Sequence, residues 1–217
     1  MEMASKVEVG PLFEALFALM RRYVQVLLLA TFSLAALDTA LVIGLGEKAQ
    51  FLGNIVSIGV VFAVLRHLLR REGMVEDEGG FGSYFVAQLL SGLGVIVGFV
   101  LLIVPGLYLL ARWSVAPSLV VGRGLRASDA LGASWDATRN CAWTLTIVYL
   151  ISIVVMLGGI FGTGVAVGAA GGTANSFGLV AFTQIAGDFF AVAGAYLNVT
   201  IYAHVIGNRG ELQDVFV

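Results

Sequence analysis

Six runs of apolar residues, most of them about twenty long, decide what this chain can be: Tyr23–Leu45, Phe51–Leu69, Tyr84–Val104, Gly106–Val121, Trp143–Gly164 and Phe177–Ile206. A helix rises ~1.5 Å per residue, so roughly 20 such residues cross the ~30 Å of hydrocarbon in a bilayer. The fourth run is short, about 24 Å by the same rise, and must sit where the bilayer thins or lean on its neighbours. The sixth is long enough to tilt or to emerge from the membrane. Only 12% of the residues are charged, against about a quarter in a soluble domain that must wet its surface. The fold class that follows is all-α: a polytopic membrane protein built as a six-helix bundle.

Twenty-eight glycines and three prolines suit helices that approach closely. Gly94–Gly98, Gly158–Gly162 and Gly164–Gly168 each have the small-xxx-small spacing that permits such crossings, within the chain or with a partner.

Lysine and arginine set the orientation. With the N-terminus in the cytoplasm, Lys6, Arg21, Arg22, Arg66, Arg70, Arg71, Arg123, Arg126, Arg139 and Arg209 all fall inside. The outer connections hold Glu47 and Lys48, then a Pro105-Gly106 turn, then the uncharged "VAVGAAGGTANS". Both termini are therefore expected in the cytoplasm. Glu2, Glu8 and Glu14 stand where a signal peptide needs basic residues, so the first run is expected to stay in the mature protein.

Residues 1–22 read as an amphipathic cytoplasmic helix ("PLFEALFALMRRY"), 23–206 as the six-span domain and 207–217 as a cytoplasmic tail. A second segment before the fifth run, "RASDALGASWDATRNCAW", has the same helical stripe, and both are expected to lie in the cytoplasmic interface. Ser128 and Asp129 suit the cap of that second helix. "GMVEDEGG", 73–80, reads as a flexible acidic loop. A net charge of −2 and the lack of a basic, aromatic-studded stripe argue against nucleic acid. One cysteine, Cys141, excludes an internal disulfide. Two histidines, His67 and His204, without clustered cysteines or acids make no metal site. No cofactor motif is present.

Within "LLIVPGLYLLARWSVAPSLVVGRGLRASDALGASWDATRNCAW", residues 101–143, an ordered pattern runs through Pro105, Gly106, Arg112, Ala116, Pro117, Ala130, Leu131, Ser134, Trp135, Thr138, Arg139 and Trp143. This pattern resembles that of the bacterial glycerophosphoryl-diester-phosphodiesterase membrane-domain family and of the related YciC-like inner-membrane proteins. The family's Gly-Asn pair is replaced here by Asn140-Cys141, and asparagine tolerates the left-handed backbone that glycine supplies. The resemblance covers about a fifth of the chain in detail. It implies a multi-span inner-membrane module, in some relatives followed by a soluble phosphodiesterase domain. The metal-site histidine and acids of that enzyme have no counterpart in this sequence, so the resemblance carries no activity with it.

Charges kept within the runs demand partners. Arg112 and Asp38 come to similar depths from the outer side, so an Asp38–Arg112 pair is expected to lock the first span to the fourth; otherwise Arg112 serves an anionic headgroup or substrate. Pro117 is expected to bend the short fourth span. Asp188, with Gln184 one turn away, sits near the middle of the sixth. It is expected to face a wet cavity or to be held by the backbone, Gln88 or Ser91. Ser134, Trp135, Thr138, Arg139 and Trp143 form a membrane-surface elbow, and Arg123, Arg126 and Arg139 meet lipid phosphates.

The function these residues point to is a non-catalytic integral membrane protein of the bacterial inner membrane. It would bind lipids and a protein partner, or a second copy of itself, as a subunit or scaffold. The alternative is a small transporter or lipid-translocating protein with Asp188 and Arg112 in a polar path. An intramembrane enzyme ranks last, for want of a nucleophile with its base or of a metal cluster.

Overall fold

The structure, a computed structural model, describes residues 7–46, 50–169 and 177–207. Lys6, Glu47, Lys48, Arg209, residues 170–176 and the tail 208–217 lie outside the described residues. The architecture is all-α: α1 (Val9–Arg22), α2 (Val24–Leu45), α3 (Gln50–Arg71), α4 (Phe81–Leu101), α5 (Ile103–Arg112), α6 (Ala116–Arg123), α7 (Ala127–Ala137), α8 (Ala142–Ala169) and α9 (Phe177–Tyr202), the last continued by a π-helical turn, Ala203–Gly207. Six segments are long and apolar enough to cross a membrane: α2, α3, α4, the broken span formed by α5 and α6, the first part of α8, and α9 with its π turn. This is an integral, multi-pass membrane protein.

α9 is the hub, packing against α1, α2, α3, α6 and α8. Buried residues concentrate toward one end of the bundle, where Leu12, Leu65, Leu68, Leu69, Tyr84, Leu119, Val120, Leu145, Tyr196 and Ile201 form a continuous core. The other half leaves Val100, Leu101, Phe161 and Val165 outward, as lipid-facing residues must be. α1 is amphipathic for a plain reason. Leu12 and Leu16 point into the core while Glu14, Phe17 and Arg21 stay outside, a stripe at the 3.6-residue period. Tyr23 alone separates α1 from α2, and its carbonyl accepts both the Leu27 N–H at 3.1 Å and the Tyr196 hydroxyl at 2.9 Å. A long-range bond thereby fixes the bend.

Two expectations about connections change. The turn between α4 and α5 is at Leu102, in extended backbone (φ −166°, ψ 150°), and Pro105 and Gly106 lie inside the first turn of α5. That position suits proline, whose missing N–H would have had no helical partner there. Gly106 instead serves packing: a β-carbon on the facing Gly98 would stand 2.8 Å from the Gly106 Cα, so only two glycines allow α4 and α5 this close. A β-carbon added at Gly158, Gly162, Gly164 or Gly168 on α8 would meet no described atom within 4 Å.

The acidic segment after α3 is a strap rather than a free loop. Glu72 takes Arg22 at 3.1 Å and the Tyr23 hydroxyl at 2.8 Å; Glu76 takes Arg123 at 2.9 Å; Glu78 takes both Arg66 and Arg70. The Glu76 and Asp77 N–H groups donate to the Gly122 carbonyl, at 2.7 and 3.1 Å, and Gly79 N–H to Val121 at 3.3 Å. The two arginines hold the Glu78 carboxyl below its ordinary range, chiefly through the Arg66 and then the Arg70 hydrogen bond. Opposite charges on three span ends thus close across one face of the bundle.

Candidate functional site

Pro117 governs the centre of the broken span. Lacking an N–H, it cannot serve the Trp113 carbonyl, which accepts Ala116 N–H instead at 3.1 Å. The helix therefore breaks over Trp113–Val115, one turn before the proline, and Pro117 sits in the first turn of α6. This rearrangement leaves the Arg112 carbonyl and the Val115 N–H without their usual helical partners. One side chain supplies both: Ser134 Oγ donates to the Arg112 carbonyl at 2.8 Å and accepts from Val115 N–H at 3.3 Å. Thr138 Oγ1 lies 2.8 Å from the Ser134 carbonyl and 3.1 Å from that of Arg112, sharing one proton between them.

α7 is able to do this because one of its faces is buried while the other, with Ser128, Asp129, Gly132, Trp135 and Asp136, stays exposed. It folds back along α6 and packs on α4 as well. Its buried face is Ala127, Ala130, Ser134 and Ala137, a row of small side chains that lets the helix press against the break. Arg126, in extended backbone, is the N-cap residue and makes no side-chain cap bond; Ser128 and Asp129 lie within the first turn, where the acid favours the helix dipole.

Arg112 is 3% exposed. Its guanidinium carbon stacks 4.2 Å over the Trp135 ring and 5.9 Å from Tyr108, one turn earlier on α5. Trp143 stands 5.9 Å from Tyr108, and Trp113 is 6.4 Å from Trp135. The expected Asp38–Arg112 pair is not formed: aromatic faces from α5 and α7, and no carboxylate among the described residues, cover the charge. A desolvated cation–π contact is worth about 2 kcal/mol, against roughly 2.5–3.5 kcal/mol for an arginine at mid-membrane. The rings offset most of that cost, but Arg112 Nε and Nη1 are buried with no hydrogen-bond partner.

Asp38 lies elsewhere. Its Oδ1 presses on Gly53 of α3, where a β-carbon would collide with the carboxylate, and it is buried without a hydrogen bond. Asp188 on α9 is 6% exposed, its Oδ2 is likewise unpartnered, and it lies within electrostatic reach of Asp38. α2 and α9 thus bring two acids together, a juxtaposition that no local pattern announces. Gln184 is half-buried one turn away. Ser91 donates to the Gln88 carbonyl within α4 at 3.2 Å, and Asn198 to Gly194 at 2.9 Å.

Of the three arginines expected to meet lipid, Arg123 is committed to Glu76, while Arg126 and Arg139 are exposed and in no ion pair among the described residues. Trp135 and Trp143 are 37% and 67% exposed. Cys141 is buried near the Thr138 carbonyl, 3.6 Å from its sulfur. His204 sits on the π turn, its Nδ1 2.9 Å from the Thr200 carbonyl. Among the described residues no group of three or more histidines, cysteines or acids is placed to hold a metal.

Comparison with protein-family models, with characterised proteins and with solved structures gives no match.

Proposed function

We propose that this chain is a non-catalytic subunit or scaffold of a bacterial inner membrane, both termini cytoplasmic, that binds lipids and a protein partner within the bilayer. One observation carries the reading: Trp135 and Trp143 are exposed on α7 and α8, and Arg126 and Arg139, which flank α7, are exposed and in no ion pair among the described residues. Aromatic rings at headgroup level beside free cations are how membrane proteins engage lipid. The resemblance of residues 101–143 to the membrane-domain family supports the same reading. The open glycine face of α8 supports a partner, since small residues invite a second helix.

The second reading, a small transporter or lipid-translocating protein, draws support from half-buried Asp38 and buried Asp188. It needs Arg112 in the same path, yet the acids belong to α2 and α9 while Arg112 ends α5 and is covered by α7. We therefore rank it second.

Extraction in native membrane patches, with mass spectrometry of protein and lipid together, tests the first reading. A stoichiometric protein companion and retained anionic lipid are expected. A lone chain without enriched lipid would sink it, and hydrolysis of glycerophosphodiesters by the pure protein would sink its non-catalytic part.

A further inference from the structure

Arg112 is a cation covered by rings and short of acceptors. Its Nε and Nη1 point at no oxygen, although the residue is almost wholly buried. The backbone around it is fully served by Ser134 and Thr138, so the guanidinium is not needed to repair the break. Stacking on Trp135 stabilises the charge but uses the face of the guanidinium, leaving its edge, where the N–H donors point, unused. The covering layer is thin. Trp143 and Trp135 are exposed on the outside of the bundle; Trp135 lies directly on Arg112, and half-buried Tyr108 neighbours both Arg112 and Trp143. Exposed arginines flanking α7, Arg126 and Arg139, attract the same sign of ligand.

We propose that Arg112 is the receptor for one oxyanion, of the phosphate kind, admitted beside Trp135 and Trp143. Either edge of a guanidinium, Nε with Nη2 or Nη1 with Nη2, offers two N–H donors that match the paired oxygens of a phosphate, which a single lysine ammonium does not. The anion completes the charge that the aromatic rings only partly offset. This rests on the lipid-binding reading above and narrows it from a surface to one residue.

All three tryptophans of the chain, Trp113, Trp135 and Trp143, belong to this cluster, so intrinsic fluorescence reports directly on it. The delipidated protein in neutral detergent is titrated with phosphatidylglycerol, with phosphatidylcholine and with inorganic phosphate. A saturable emission change with phosphatidylglycerol, not matched by phosphatidylcholine, is expected. Arg112→Gln weakens it at least about tenfold, and Arg112→Lys, which keeps the charge and guards against a folding defect, weakens it less. A response to inorganic phosphate as well assigns the site to a free oxyanion rather than a headgroup. Equal titration of wild type and Arg112→Gln, or of the two lipids, overturns the proposal. The Arg126→Gln/Arg139→Gln variant separates the two claims: it lowers bulk binding to anionic vesicles but leaves the saturable tryptophan signal intact. Loss of bulk binding without any saturable signal in wild type refutes the Arg112 site and leaves the surface reading standing.

Discussion

The Ser134 hydroxyl donates to the Arg112 carbonyl at 2.8 Å, joining two helices at the place where the fourth span breaks and that carbonyl has lost its α-helical partner. Ser134→Ala removes that donor and the acceptor for Val115 N–H together. The expected loss is about 1–3 kcal/mol for polar groups left buried and unpaired, read as a lower Tm in detergent. Thr138→Ala costs less, because Ser134 still serves the same carbonyl. An unchanged Tm in Ser134→Ala would mean that the break supports itself.

Gly53 and Asp38 form a coupled pair. Gly53→Ala drives a β-carbon into the Asp38 carboxylate and is expected to destabilise by about 1–3 kcal/mol. Asp38→Ala in the same chain relieves most of that, so the two changes are strongly non-additive in a double-mutant cycle. Additive losses would place the clash elsewhere.

Asp38 and Asp188 are two acids brought together by α2 and α9, with no ion pair to either among the described residues. Asp188→Asn is therefore expected to preserve or raise thermal stability, and Asp38→Asn after it to add little. A clear drop in Tm for Asp188→Asn would reveal a cation that balances these acids in the folded protein.

Glu78 is the pH-sensitive member of the strap. Its folded carboxyl titrates below its unfolded value, so the stabilisation is complete above the ordinary glutamate range of about 4.3. It is lost as pH falls through the folded value. A plot of Tm against pH should fall over that acid window in wild type and fall less in Glu78→Gln. Identical curves would show that the arginines find other partners.

Single cysteines in a Cys141→Ser background check the six-span arrangement. Glu8→Cys and Ser128→Cys should react with an impermeant maleimide from one side of a sealed vesicle, Leu45→Cys and Phe177→Cys from the other. Mixed labelling of Glu8 and Ser128 would break the arrangement.

The spans were legible because hydropathy over twenty residues is a local property, and lipid leaves a helix little choice. The surroundings of Arg112 were not. Depth alone pointed to Asp38, whereas the real neighbours, Trp135, Ser134 and Thr138, arrive from a helix that turns back along α6. The small residues Ala127, Ala130, Ser134 and Ala137 were the available signal: a helix that presents them on one face is made to be buried. Asp188 was recognised as out of place, but its meeting with Asp38 depends on the register of α2 against α9, which no sequence period encodes. The acidic strap misled for the opposite reason. Glycines and glutamates together look solvated until the arginines of three other segments are seen around them.

The strap has a practical meaning for anyone who must tag or split this protein. By composition, residues 73–80 are the obvious site for an epitope, a protease target or a fused reporter. In the folded molecule they act more like a buckle, with the ends of the second and fourth spans fastened to it by Glu78 and Glu76. An insertion there would open the buckle and loosen the ends of both spans at once.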